Sequence, residues 1–399
     1  MLGHAVRHLE SAIEQSRTGQ TEQSRTGQAD LLRPADPGIP VLARLVAAVD
    51  PAAAVTASAA ATAWARTAGR GPARIGLLNG GLAGTLAGLR LAAWRQPPLR
   101  AAADKLRDHL AHRATRDLRT ESVSFADYDL ISGPAGVLLA LCATDPPAPE
   151  HLRTLTEHLA ALCDRDGLPR LRIGAYRNHP HLAWVHGRIN TGMAHGVAGL
   201  ISALTAVTRR VGADPALIGA LGRATHWLAS QAYEDGLGIP SWPGAGLDGA
   251  APPAAAARRQ AWCYGTPGVA WALFDAADAL GDQAAARRAA DVFTALADRF
   301  DPAFHLHGDR PEDLLGLCHG AAGVLAVADA FDRHARLPAA TVLRNRLVRH
   351  LLARLEDAPV PAAHGLLEGA PGILAALLTA TCGEKGEAPR AWLTCLGLR

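Results

Sequence analysis

CHGAAGVLAVADAF, residues Cys318 to Phe331, sets a pair of glycines, Gly320 and Gly323, directly before an apolar run dense in Ala, Val and Leu. The same arrangement recurs along the chain at Gly81–Gly84, Gly133–Gly136, Gly196–Gly199, Gly265–Gly268 and Gly369–Gly372, with first glycines 52, 63, 69, 55 and 49 residues apart. Such a period accommodates two helices of roughly 15 to 20 residues with their connections. A sharp turn into a helix needs positive φ or a close backbone approach that a Cβ blocks, which is the physical use of glycine there. Each unit therefore reads as an outer helix, a glycine turn and an inner helix. Hairpins of this kind bury their apolar faces only against neighbours, and six or seven of them close into a ring with a central cavity. Inner helices that all start at one rim present free N–H groups to it, an environment favourable to anions, thiolates included.

Composition agrees with an all-α chain. Of 399 residues 49% are hydrophobic but only 5% aromatic, with 40 Gly and 26 Pro, so burial relies on closely packed Ala, Leu and Val and general disorder is excluded. Apolar residues recur at helical spacing in VLARLVAAV from Val41, HLRTLTEHLAALC from His151 and TVLRNRLVRHLLARL from Thr341. The exception runs from Leu168 to Ile189, a small irregular or β extension. EQSRTGQ at Glu14–Gln20 repeats at Glu22–Gln28 without apolar periodicity, so residues 1–37 are expected to form a flexible tail ahead of a helical domain over 38–399. The net charge is +3 and the arginines are scattered, which argues against nucleic acid as a partner. Pro51 to Ala65 is too short to span a bilayer, Met1 is not followed by a signal peptide, and six cysteines are too few for a disulfide framework. The expected location is cytoplasmic.

Aligning the copies on their first glycine exposes the chemistry. The residue before that glycine is Gly80, Ser132, His195, Tyr264, His319 and Glu368 in turn, and Cys263 and Cys318 share the position before that. Consecutive repeats of a ring set these cysteines side by side, with His319 adjacent. Two thiolates and an imidazole form a zinc set whose fourth tetrahedral position stays open, as at a catalytic site. Cys142, Cys163, Cys382 and Cys395 lie outside the slot and read as core residues. His195, one repeat away from Cys263, is a candidate proton donor or acceptor. Asp129 or its rival Asp127 is placed to orient that histidine, and either Arg259 or Arg258 to stabilise an oxyanion. Glu368 reads as structural.

These residues resemble the lanthionine synthetase C family. The matching motifs are Tyr128-Asp129 before Gly133, GMAHG at Gly192–Gly196, WCYG at Trp262–Gly265, CHG at Cys318–Gly320 and LLEGAPG at Leu366–Gly372, and the likeness extends from about Pro40 to the C-terminus. The resemblance implies an α/α toroid with inner and outer rings of seven helices, one repeat being degenerate here. It implies one zinc per chain on Cys263, Cys318 and His319, with His195, Asp129, Arg259 and Tyr264 at active-site positions. The implied reaction is Michael addition of cysteine thiolates of a dehydrated precursor peptide to dehydroalanine or dehydrobutyrine. With no residues left for a dehydratase or kinase domain, the chain reads as a stand-alone cyclase. Its implied partners are a separate dehydratase and a transporter in a complex at the membrane periphery. Two alternatives carry the same chemistry less well. A prenyltransferase-like thiol-alkylating enzyme would place a carboxylate on zinc, and a non-catalytic peptide- or thiol-binding scaffold would not retain His195. A toroidal glycosidase would need a carboxylate pair, for which only Asp129 and Glu368 lie on the rim.

Overall fold

A computed structural model describes residues 1–18, 36–68, 74–143, 148–212, 214–251, 258–357, 361–382 and 388–399. After α1 (Leu2–Thr18), helices follow in pairs: α2 (Gly38–Val49) and α3 (Ala54–Thr67), α4 (Leu82–Ala92) and α5 (Pro97–Ala114), α6 (Pro134–Cys142) and α7 (Pro149–Leu162). Next come α8 (Val197–Val211) and α9 (Pro215–Ser230), then α10 (Thr266–Ala279) and α11 (Gln283–Arg299). Two short helices, α12 (Pro302–His305) and α13 (Pro311–Leu315), precede α14 (Ala321–Ala335) and α15 (Pro338–Asp357), and α16 (Ala370–Thr381) completes the set.

The first member of each pair lies inside. Helices α2, α4, α6, α8, α10, α14 and α16 each pack on the next, and α16 packs on α2, closing the ring. Their composition fits that place: all residues of α6 are buried, as are most of α10, α14 and α16, with the charged residues of α10 and α14 gathered in their C-terminal halves. The outer helices are amphipathic, as α11 illustrates with Ala286, Ala289, Ala290, Phe293 and Leu296 inward. The fold is an α/α toroid.

Six inner helices start at the first glycine of a repeat, and the helix after Gly38 is the degenerate seventh. The seventh copy keeps one glycine and uses a side chain where the other copies use a loop carbonyl, since Asp36 Oδ1 accepts from both Gly38 N and Leu366 N. Close approach rather than φ accounts for most of the other glycines: only Gly265 among the first glycines has positive φ, at 90°. The second glycine has the stricter reason. A Cβ on Gly136, Gly199, Gly268, Gly323 or Gly372 would stand 1.9 to 2.2 Å from the carbonyl oxygen of Leu130, Met193, Trp262, Leu317 or Leu366. Each pre-glycine loop thus folds down onto the first turn of its own helix.

Those loops are also tied to one another. Leu77 and Leu78 N–H donate to Ile131 O, Leu130 to Ala194 O, Met193 to Cys263 O, Cys263 to Cys318 O, and Leu317 and Cys318 to Leu367 O. A chain of backbone hydrogen bonds therefore runs along the rim and fixes equivalent positions of successive repeats next to each other.

Two expectations are corrected, and an open one is decided. Residues 2–18 are not tail: they form α1, whose Ala5, Leu9 and Ala12 are buried and which packs on α2, α3 and α16 as the outer helix that α16 lacks. The duplicated segment reads as polar, but the periodicity that matters begins at Leu2 and ends before the second copy, Glu22–Gln28, which lies outside the described residues. Second, the extension at 168–189, expected as irregular or β, is the irregular one, with 3₁₀ turns at Pro169–Leu171 and Ala183–Val185 and an isolated bridge from Ile173 to Val123. The two-stranded sheet, Tyr233–Glu234 with Pro240–Ser241, lies elsewhere. Third, the ring is not hollow throughout. Residues 388–399 pack on α2, α4 and α6, abut Ser202 of α8, accept the indole N–H groups of Trp262 and Trp271, and reach Arg333 of α14 and Thr379 of α16. This C-terminal segment touches every inner helix.

Candidate metal centre and active site

Cys263 and Cys318 come together because the rim bond from Cys263 N to Cys318 O joins their loops. Their sulfurs and a ring nitrogen of His319 lie within 4.8 Å of one another, the one such group of three among the described residues. Cys263 is buried, and His319 is about one-third exposed, so the group opens to solvent on one side. The hydrogen bond with Cys263, together with burial, pushes the Cys318 thiol well above the usual thiol range, while the hydrogen bond to Cys318 raises the His319 imidazole. Two such sulfurs cannot both ionise without a cation between them. A divalent ion relieves that repulsion, and two thiolates with an imidazole suit zinc.

Behind the group stands Asp313 on α13, whose Oδ1 is 3.6 Å from His319 Nδ1 while Nε2 of the same ring faces Cys318 Sγ at 3.7 Å. Arg310 donates to the same carboxylate. Asp313 is not part of the close Cys263–Cys318–His319 group, where a prenyltransferase-like site would need a carboxylate.

His195 lies on the same rim. Its Nδ1 is 2.5 Å from Asp129 Oδ2, its ring stacks on Phe125 at 4.7 Å, and its carbonyl accepts from Tyr128 Oη. Asp129 is fully buried, and its other oxygen accepts from Ser132 N, Ser132 Oγ and Gly133 N, so the carboxylate is fixed before it meets the imidazole. Asp127 points elsewhere, pairing with Arg119 and capping the turn at Ser124. The two aspartates left open by the sequence are thereby separated.

The arginines are separated as well. Arg258 is exposed over the Phe304 ring, whereas Arg259 is half-buried, donates from Nη2 to His307 O at 2.9 Å, and keeps a buried Nη1 with no partner. Its charge is close enough to oppose protonation of His319. Tyr264 accepts from Asn190 Nδ2 at 2.8 Å, and burial holds its phenol far above the ordinary tyrosine value, so it remains a neutral hydroxyl. Nearby Cys263, Cys318 and Asp129 push its phenol in the same direction. Glu368 is half-buried on the rim and faces Arg310, in keeping with a structural reading.

Sequence reasoning missed three contributors. Asn190 anchors Tyr264 and caps Gly192 N. Asp313 backs His319. The extension supplies an aromatic lip, with Trp184 edge-on to Tyr264 and Tyr176 against Phe125. The short polar-to-glycine spacing of Asn190 and Gly192 was a visible sign of a capped loop; the other two depend on tertiary placement.

The fold is thus an α/α toroid that carries on one rim a Cys–Cys–His group of the kind that suits a metal ion, beside a hydrogen-bonded His–Asp pair. The model of the lanthionine synthetase C-like protein family matches residues 47–393, and the chain belongs to that family. Among solved structures it is similar to nisin cyclase, with a TM-score of 0.79 and 18% sequence identity over 98% of this chain and 96% of that one. No curated protein sequence matches it. Among the described residues no helix is long and apolar enough to cross a membrane.

Proposed function

We propose that the chain is a stand-alone, zinc-dependent lanthipeptide cyclase. Its substrate is a dehydrated precursor peptide, in which a cysteine sulfur adds to the β-carbon of dehydroalanine or dehydrobutyrine and closes a lanthionine or methyllanthionine ring. The observation that carries the reading is the presence, on one rim, of both the Cys263–Cys318–His319 group and the Asp129-oriented His195.

Cys263, Cys318 and His319 would hold the ion, and zinc there supplies the positive charge that lowers the pKa of a substrate thiol to the neutral range. His195 takes up the thiol proton on Nε2, since its Nδ1 is committed to Asp129, and the buried carboxylate stabilises the imidazolium. As the C–S bond forms, the double-bond electrons move onto the adjacent carbonyl as an enolate. Arg259, with its unpartnered Nη1, is the donor for that oxygen, and Tyr264 is a second neutral donor held by Asn190. His195 then returns the proton to the α-carbon, so the addition consumes and releases nothing. Dehydration must precede this step, so a dehydratase activity is the supplier of the substrate, and a dehydratase partner belongs to the reading. The transporter and a cytoplasmic complex complete the reading.

The test is ring closure of a dehydrated precursor, followed by free-thiol alkylation and mass spectrometry, with zinc measured in the same preparation. About one zinc per chain is expected, lost in Cys263→Ala/Cys318→Ala together with accelerated cyclisation. A protein that holds zinc and binds peptide but closes rings no faster than the uncatalysed reaction is a scaffold, and the proposal fails.

A further inference from the structure

Away from the rim, a cavity of about 440 Å³ lies between α2, α4, α5, α6 and the C-terminal segment. It shares no residue with the metal centre. Three guanidinium groups line it, from Arg44, Arg90 and Arg100, and no carboxylate does. The rest of its wall is largely apolar, with Trp94, Leu91 and Leu139 prominent.

These cations are incompletely satisfied. Arg90 pairs through Nη2 with Asp104 at 2.7 Å, yet its Nε is buried without a partner. Arg44 is half-buried with its guanidinium 5.5 Å from the Trp94 ring, and among the described residues no carboxylate pairs with it. Burial also pulls the Arg44 pKa below the ordinary arginine value, so the site bears a desolvation cost that a counter-anion would offset. Arg100 is exposed at the mouth.

We infer that this cavity is a second binding site, for a small carboxylate carrying a compact apolar body. The guanidinium groups offer paired N–H donors that match a carboxylate, and the walls accept the hydrocarbon. The volume falls in the range of small-molecule pockets. An inorganic anion would leave the apolar wall unused, and a neutral hydrocarbon would leave the Arg44 charge uncompensated.

The inference is independent of the cyclase reading and is tested without turnover, by isothermal titration of the full chain with octanoate, 1-octanol and inorganic phosphate. Octanoate is expected to bind at least tenfold more tightly than either of the others. Arg44→Met, which keeps the aliphatic stem, should weaken octanoate at least tenfold. Arg100→Ala, at an exposed position where folding is not at stake, should weaken it several-fold. Octanoate affinity should be unchanged in Cys263→Ala/Cys318→Ala. Equal binding of octanol removes the role of charge, equal binding of phosphate removes the role of the apolar wall, and octanoate affinity indifferent to both arginine variants overturns the site.

Discussion

Replacing Gly323 by alanine should destabilise the protein through a single misplaced methyl group. Its Cβ would lie 2.0 Å from Leu317 O and 2.9 Å from Trp262 Cβ, against about 3.5 Å or more for unstrained contact. Neither neighbour can yield cheaply. Leu317 N–H is bonded to Leu367 O in the rim, and Trp262 is fully buried with its indole committed to Leu396 O. Overpacking of this kind costs about 1–3 kcal/mol, and two rigid neighbours argue for the upper end. Gly222, on the exposed face of α9, has nothing within 4 Å of the place a methyl group would take, so Gly222→Ala should instead stabilise by about 0.5–1 kcal/mol. At about 1.2 °C per kcal/mol for a chain of this length, thermal melts followed by circular dichroism should show a fall of roughly 3 to 4 °C for the first and a rise of about one degree for the second. Because Leu317 immediately precedes Cys318, Gly323→Ala should also lose zinc to a chelator at lower concentration than the wild type. Melting temperatures that move in the same direction, or a Gly323→Ala protein within a degree of wild type, would refute the close-approach account of the repeat.

His195→Asn should fold, keep its metal and bind precursor, yet slow cyclisation by about a hundredfold after subtraction of spontaneous closure; a wild-type rate and ring pattern would move the proton donor elsewhere. Arg259→Ala should raise the barrier by about 2–4 kcal/mol while Arg258→Ala does not, and equal behaviour of the two in rate and stability would dismiss both. The His8–His364 pair that seats α1 sets a pH dependence. Burial, with the neighbouring imidazole acting on His8, lowers the two pKa values to about 3 and about 4, below the unfolded value of about 6.5. Protons therefore favour the unfolded chain: stability is full above pH 7 and falls by about 2 kcal/mol per histidine between pH 7 and 5. Urea unfolding in the presence of chelator, which removes metal-ligand protonation from the comparison, should give a shallower slope in His8→Gln; an unchanged slope would exclude this pair as its source.

What the sequence made legible follows from what repeats. The glycine pairs carry a steric demand that reappears in at least five of the hairpins, so the ring, the shared slot of Cys263 and Cys318 and the adjacency of His319 could all be aligned without coordinates. The seventh copy was not visible because Asp36 replaces a loop carbonyl with a side-chain oxygen and leaves only Gly38 of the motif. Helix α1 was hidden by its polar outer face and by the tandem repeat that overlaps its end, although Ala5, Leu9 and Ala12 follow helical spacing. Choosing Asp129 over Asp127 and Arg259 over Arg258 required the direction of single side chains, which neighbouring residues of the same type cannot reveal. Asp313 belongs to a short helix between repeats, outside any aligned slot.

Closure of the ring by α1, with His364 meeting His8 across 356 positions of sequence, changes how the molecule must come apart. An open solenoid frays from its terminal units, since those have a neighbour on one side only. Here no hairpin is terminal, and the segment 388–399 braces all the inner helices from within. Opening any one of them breaks contacts on both flanks and at the hub. Native-state hydrogen exchange should therefore find the slowest amides of α2, α8 and α16 sharing one opening free energy, equal to that of global unfolding. A graded series, with α16 or α2 exchanging well ahead of α8, would mean that the seam between the chain's two ends behaves as a free edge.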